Sequence, residues 1–273
     1  MDFRSHFGRP IDFRHRSNVV VAIIVVLAAV AAVVLWMSGT PANVLLAPVY
    51  VFVIWALLRE IDPDHQWPAV VGAVLAGAWV LRGMPLSTVW ATAGLVVATR
   101  ITTSTTGRRL LPIDLAAVTV FGTAIGFSVE GWAAGFGIAL ALYLDDRFRG
   151  ENRVAAIAAS AITAVGTTVV ATAAGAFPDT VPDVIQYLAI IAGVAALGLL
   201  VREPAMPTSR VDARHAAFID RARLHASRSI IGVLVFLMAI FTGANSEGLV
   251  IVIAVLWLAV LSNEIELIRR RRR

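Results

Sequence analysis

Between two apolar runs the chain reads Arg59-Glu60-Ile61-Asp62-Pro63-Asp64-His65-Gln66. This short stretch holds three carboxylates, a guanidinium and an imidazole, while the runs on either side carry almost no charge. Such a polar knot is what a membrane protein shows where one helix leaves the bilayer and the next one enters it.

Composition carries the same reading outward. Of 273 residues, 59% are apolar and 15% charged, and the mean hydropathy is +0.81. A soluble domain carries about 25% charged residues. Several apolar runs approach or exceed the ~20 residues that cross the hydrocarbon core as a helix. They do not alternate with period two, as the strands of a membrane β-barrel would. The expected fold is all-α, a polytopic integral membrane bundle.

Read in order, the runs predict helices over about 18–38, 43–58, 67–81, 86–99, 111–128, 132–144, 154–176, 184–201, 229–243 and 249–262. These are ten crossings, with eight plus a re-entrant pair as the alternative, since several runs are short. A polar tail, 1–17, precedes them, a basic segment, 202–228, separates the eighth from the ninth, and an arginine-rich tail, 263–273, follows. The first run is too long for a signal-peptide core and lacks a cleavage motif, so it reads as a retained helix. With the N-terminus in the cytoplasm, every one of the 23 arginines except Arg82 falls on the cytoplasmic side. The positive-inside rule then places both termini in the cytoplasm of a cell-membrane protein.

That asymmetry also accounts for the pI of about 10.8 without a nucleic-acid partner. Cysteine and lysine are absent, which excludes disulfides, thiolate chemistry and Schiff-base or P-loop lysines. In segment 202–228, Val211, His215, Phe218 and Ala222 share one face of a helical projection, with arginines around it. The expectation is a basic amphipathic helix on anionic lipid of the inner leaflet; a solvated linker is the plainer alternative.

Three groups of residues could carry chemistry. Glu60, Asp62, Asp64 and His65, joined by Asp145 and Asp146, offer oxygen ligands for Mg²⁺ or Mn²⁺ at the cytoplasmic face. Arg100, Arg108 and Arg109, in a threonine-rich stretch, could hold a phosphate. Thr163, Thr167, Thr168 and Thr172 could line a polar pathway, although threonine hydroxyls also bond back to their own helix. Against the acidic group stands the fact that Asp-Pro-Asp is an ordinary loop former. Gly72, Gly77, Gly122, Gly126, Gly135 and Gly137 permit close helix approach, within the bundle or between copies of the chain.

No prenyltransferase, CDP-alcohol transferase, hydrolase-elbow, zincin or P-loop motif occurs. The function expected is a transporter or permease for a small or amphiphilic solute. The alternatives are an enzyme acting on a phosphorylated lipid at the inner face, and a non-catalytic scaffold.

Overall fold

The structure, a computed structural model, describes residues 16–81, 86–151, 153–176, 191, 210–211, 214–241 and most of 253–268. The described chain is mainly helical. Helix α1 covers Arg16–Met37, and α2 covers Ala47–Ile61 after a 3-10 turn, Ala42–Leu46. Helices α3 (Trp67–Val80), α4 (Leu86–Thr103), α5 (Pro112–Ala124), α6 (Val129–Arg149) and α7 (Val154–Ala173) follow. A two-stranded hairpin, β1 (Arg210–Val211) and β2 (Arg214–Phe218), leads to α8 (Arg221–Phe241). The described residues between 253 and 262 are helical. The expected helix at 184–201, both terminal tails and the start of the last run lie outside the described residues, apart from isolated positions.

Local chemistry sets the element ends. Pro48, Pro68 and Pro112 lie in the first turns of α2, α3 and α5, where a missing N–H costs nothing. Asp62, which precedes Pro63, leaves helical geometry at φ −130°, ψ 76°, and α2 stops. Ser128 caps α6 by accepting from Gly131 N at 3.0 Å, and Gly150 at φ +66° ends it in the left-handed region.

Two expectations change here. Residues 145–149, expected in a loop, form the last turn of α6, where the i,i+4 pair Asp145–Arg149 supports a helix. The basic segment is not one amphipathic helix, because 210–218 pairs as a hairpin, with Arg210 opposite Phe218 and Val211 opposite Arg214. Asp220 accepts from Ala222 N at 2.8 Å and starts α8.

Three helical stretches, 17–37, 44–61 and 154–173, are long and apolar enough to cross a membrane, by length and composition. Helix α3 and the α5 stretch are apolar but shorter. Helices α4 and α6 carry threonines or terminal charges that dilute their hydropathy. Ten crossings therefore exceed what the described helices establish. Only 17% of the α1 span and 28% of the α7 span is buried, so Val26, Leu27, Val30, Val34, Val165 and Val169 point away from the bundle.

The core lies where α4 packs on α6 and α2, with α8 across them. A second contact set joins α5, α6 and α7 through glycines. A Cβ on Gly135 would sit 2.5 Å from Gly122 O, and one on Gly126 would sit 2.6 Å from Thr167 O. These glycines are used for close helix approach within the chain.

Candidate functional site

The charged residues that the sequence puts at helix ends converge at one end of the bundle, and they are buried there. Glu60, Asp62, Asp145 and Asp146 are each at most 1% exposed. A buried carboxylate is costly unless it is paired and hydrogen-bonded, and each of these has found partners on a different element.

Glu60, in the last turn of α2, accepts from Arg100 Nε at 2.8 Å, from Thr105 Oγ1 at 2.8 Å and from Thr103 Oγ1 at 3.2 Å. Asp62 accepts from His65 at 2.8 Å and from the Ser262 hydroxyl. His65 donates through Nδ1, the tautomer that an acceptor-only carboxylate requires. Asp145 is shared by two guanidiniums, Arg149 Nε at 3.0 Å and Arg223 Nη1 at 2.7 Å. Asp146 accepts from the backbone N–H of Arg153 at 3.0 Å, with the side-chain Nε of the same residue 3.5 Å away.

The cations also hold backbone. Arg149 donates to Ser104 Oγ and Arg108 O, each at 3.0 Å. Arg223 reaches Thr102 O at 3.3 Å and lies over the Phe148 ring, 5.0 Å from its centroid. Arg228 Nε donates to Ile61 O at 3.0 Å. The result is a clasp in which side chains tie the ends of α2, α4, α6 and α8 together. Its centre is the buried Thr102–Thr106 turn, where Ser104 has φ +50°, a left-handed conformation that a non-glycine residue adopts at a cost.

The acidic residues singled out in the sequence therefore do not form one set of metal ligands. Asp64 stays exposed. Among the described residues no group of three His, Cys, Asp or Glu side chains gathers to hold a metal ion. The physical reason is that guanidiniums and hydroxyls already surround the carboxylates. The proposed phosphate-binding arginines part company as well. Arg100 pairs with Glu60, Arg109 with Glu151 at 2.9 Å, and Arg108 offers its carbonyl to Arg149.

The threonines of α7 bond back to their own helix. Thr163 donates to Ala159 O, Thr168 to Ala164 O and Thr172 to Thr168 O. Thr167 shares its one hydroxyl proton between Thr163 O and, across the interface, Gly122 O at 2.8 Å, a contact that fastens α7 to α5. Thr168 and Thr172 are exposed.

A different threonine series is buried. Thr88, Thr92, Thr99 and Thr103 on α4 are each at most 3% exposed. Their spacing places them within about 60° of arc over ~22 Å of helix, at 100° and 1.5 Å per residue. Tyr50 of α2, fully buried, lies against Thr92 and within the field of Glu130, yet its hydroxyl has no hydrogen bond of good geometry. The Thr88 hydroxyl is also buried without a partner. At the other end of the file, Thr103 meets Glu60. The 4-7-4 spacing of these threonines is visible in the sequence, whereas the partners Arg223, Arg228 and Ser262 are too distant in the chain for any local pattern to assign.

No known protein family, curated protein or solved structure matches this chain.

Proposed function

We propose that this chain is a multi-pass cell-membrane protein that moves a small solute across the bilayer, with ten crossings and both termini in the cytoplasm. The observation that carries the reading is the α4 hydroxyl file. It runs through the core of a bundle whose α1 and α7 turn apolar faces outward. Lipid is the natural neighbour of those faces, since large exposed apolar patches mark membrane or partner contact. The file ends at the ionic clasp, where Thr103 and Arg100 both meet Glu60.

The alternative of a lipid-phosphate enzyme draws less support. It requires Asp62, Asp64, Asp145 and Asp146 around one ion, and three of these carboxylates sit among separate donors while Asp64 is exposed. The test is uptake of radiolabelled solutes, charged and uncharged, by liposomes holding the purified protein. Uptake above that of empty liposomes, lost in Thr92→Val, is the expected result. A protein that moves none of a broad panel, in either orientation, refutes transport.

A further inference from the structure

We propose that Asp62, His65 and Ser262 form a pH-sensitive latch, which fastens the helical turn 259–262 to the α2–α3 connection while His65 is protonated and loosens it when His65 turns neutral. The inference is independent of the transport reading above, since it concerns how the molecule is held rather than what passes through it.

Four carboxylates are buried at the clasp, and their cations differ in kind. Glu60 pairs with Arg100, Asp145 with Arg149 and Arg223, and Asp146 with Arg153. A guanidinium keeps its charge at any pH a protein meets. Asp62 pairs instead with an imidazole, His65 Nδ1, which lies 2.8 Å from Oδ1 and 3.1 Å from Oδ2. Imidazole ordinarily titrates near pH ~6.5. Of these pairs, it is the one that a modest pH change can switch off.

Burial gives the switch its leverage. Asp62 is 1% exposed, whereas the His65 side chain is 22% exposed. The carboxylate is shut away from water, while the imidazole that balances it can exchange its proton with solvent. With His65 charged, Asp62 is a paired ion. With His65 neutral, Nδ1–H still donates, but the buried negative charge has lost the positive charge beside it, which is costly.

Ser262 transmits the change. Its hydroxyl has one proton, shared between Asp62 Oδ2 and Ala259 O of its own helix, the latter 2.9 Å away. The hydroxyl can turn wholly to Ala259 O, so it does not hold an unbalanced Asp62 in place, and water can replace it there. Ala259, Val260 and Ser262 are buried and would be uncovered by that movement, whereas Leu261 is exposed already.

The surrounding charges do not compensate. Arg59 Nη1 donates to Pro63 O at 3.4 Å and Arg228 Nε of α8 to Ile61 O at 3.0 Å, and both add the same field whether His65 is charged or neutral. Glu60 is engaged by Arg100 of α4. Helix α3 carries no ionisable side chain. Asp64 and, on the last helical stretch, Glu264 are exposed, where water and salt screen them.

The direction of the pH effect follows. A carboxylate at this distance favours the charged imidazole, so the folded protein holds the proton more tightly than the unfolded chain does. The stabilisation is complete below about pH 6.5 and is lost as pH rises through the higher folded value.

The chain has no cysteine, so single introduced thiols are clean reporters. In full-length protein held in nanodiscs, Ala259→Cys reports the buried side of the turn and Leu261→Cys the exposed side. The quantity read is the rate of reaction with a methanethiosulfonate reagent at 259 divided by that at 261 at the same pH. It is expected to rise about tenfold from about pH 6 to about pH 9, the factor that a ~1.4 kcal/mol difference gives. His65→Gln keeps a neutral donor and should hold the ratio high throughout, whereas His65→Arg supplies a permanent cation and should hold it low throughout. Histidine NMR gives a second readout. The His65 signal, identified by its loss in His65→Gln, is expected to titrate above ~6.5 and to return to ~6.5 in Asp62→Asn. A ratio that does not change with pH, a change that persists in His65→Gln, or a His65 signal that titrates at or below ~6.5 overturns the latch. If His65→Gln does not fold, the contrast between wild type and His65→Arg decides: a pH-dependent ratio in both overturns it.

Discussion

Asp145→Asn isolates the ionic clasp at its most crowded point. The carboxylate is fully buried and serves two guanidiniums, with Arg149 Nε 3.0 Å from one oxygen and Arg223 Nη1 2.7 Å from the other. The amide keeps the shape and removes the charge. Two unit charges ~4 Å apart attract by about 4 kcal/mol at an effective dielectric near 20. The variant forfeits two such attractions and sets two cations side by side, although hydration of a freed asparagine site returns part of the loss. One-sided disruption of a buried ion pair costs about 3–5 kcal/mol net, and that is the expected effect. Arg223→Met keeps the Arg149 pair and most of the apolar stem over Phe148. It loses the charge-assisted hydrogen bond to Asp145, about 1.5–3 kcal/mol, and the longer one to Thr102 O. The double variant should fall short of the sum of the singles by about 0.5–3 kcal/mol, because both singles break one bond. Equilibrium unfolding of the purified protein in mixed micelles measures all three. If Arg223→Met costs as much as Asp145→Asn, or the double variant equals the sum, the two guanidiniums do not share one carboxylate in the way described.

Other outcomes follow from the same geometry. Gly135→Ala places a methyl against Gly122 O at 2.5 Å and Thr167 Cγ2 at 2.7 Å, where backbone cannot yield; overpacking of about 1–3 kcal/mol is expected in the same unfolding assay. Gly150→Ala meets open space but needs φ +66°, and its cost should be about 1–2 kcal/mol from conformation alone. Thr167→Val leaves Gly122 O without its cross-helix donor and should cost about 1 kcal/mol, whereas Thr172→Val, exposed and bonded only within its helix, should be close to neutral. A cytoplasmic reporter fused after Arg273 should be active, and activity of a periplasmic-type reporter alone at that position would overturn the proposed orientation.

The apolar runs locate the helices well because chain length in the bilayer and apolar composition are local properties. Ends set by proline or by a polar knot, such as Asp62-Pro63, were legible for the same reason. What local pattern could not supply is depth. Asp145 and Asp146 follow an apolar run and read as the start of a loop, yet they occupy a helical turn beneath α8. Whether a charge at a helix end is solvated or buried depends on Arg223 and Ser262, which approach from the far side of the chain. The threonines divide along another line. Those of α7 follow the local preference for back-bonding, and Thr167 adds a helix contact. Those of α4 show an i, i+4, i+11, i+15 register that marks one face, and only the packing of α2 against that face makes it interior.

The bond between Asp62 and Ser262 also has a temporal meaning. A ribosome delivers the members of the clasp in sequence, and the carboxylates do not wait equally long. Glu60 acquires Arg100 after 40 further residues, while Asp145 acquires Arg149 within one helical turn but Arg223 only 78 residues later. Asp62 stands without its serine for 200 residues of synthesis. A chain that stopped short of Ser262 would hold the preceding helices but leave Asp62 without that buried donor. The stretch that carries Ser262 therefore closes the clasp on Asp62 later than any of the other contacts named here.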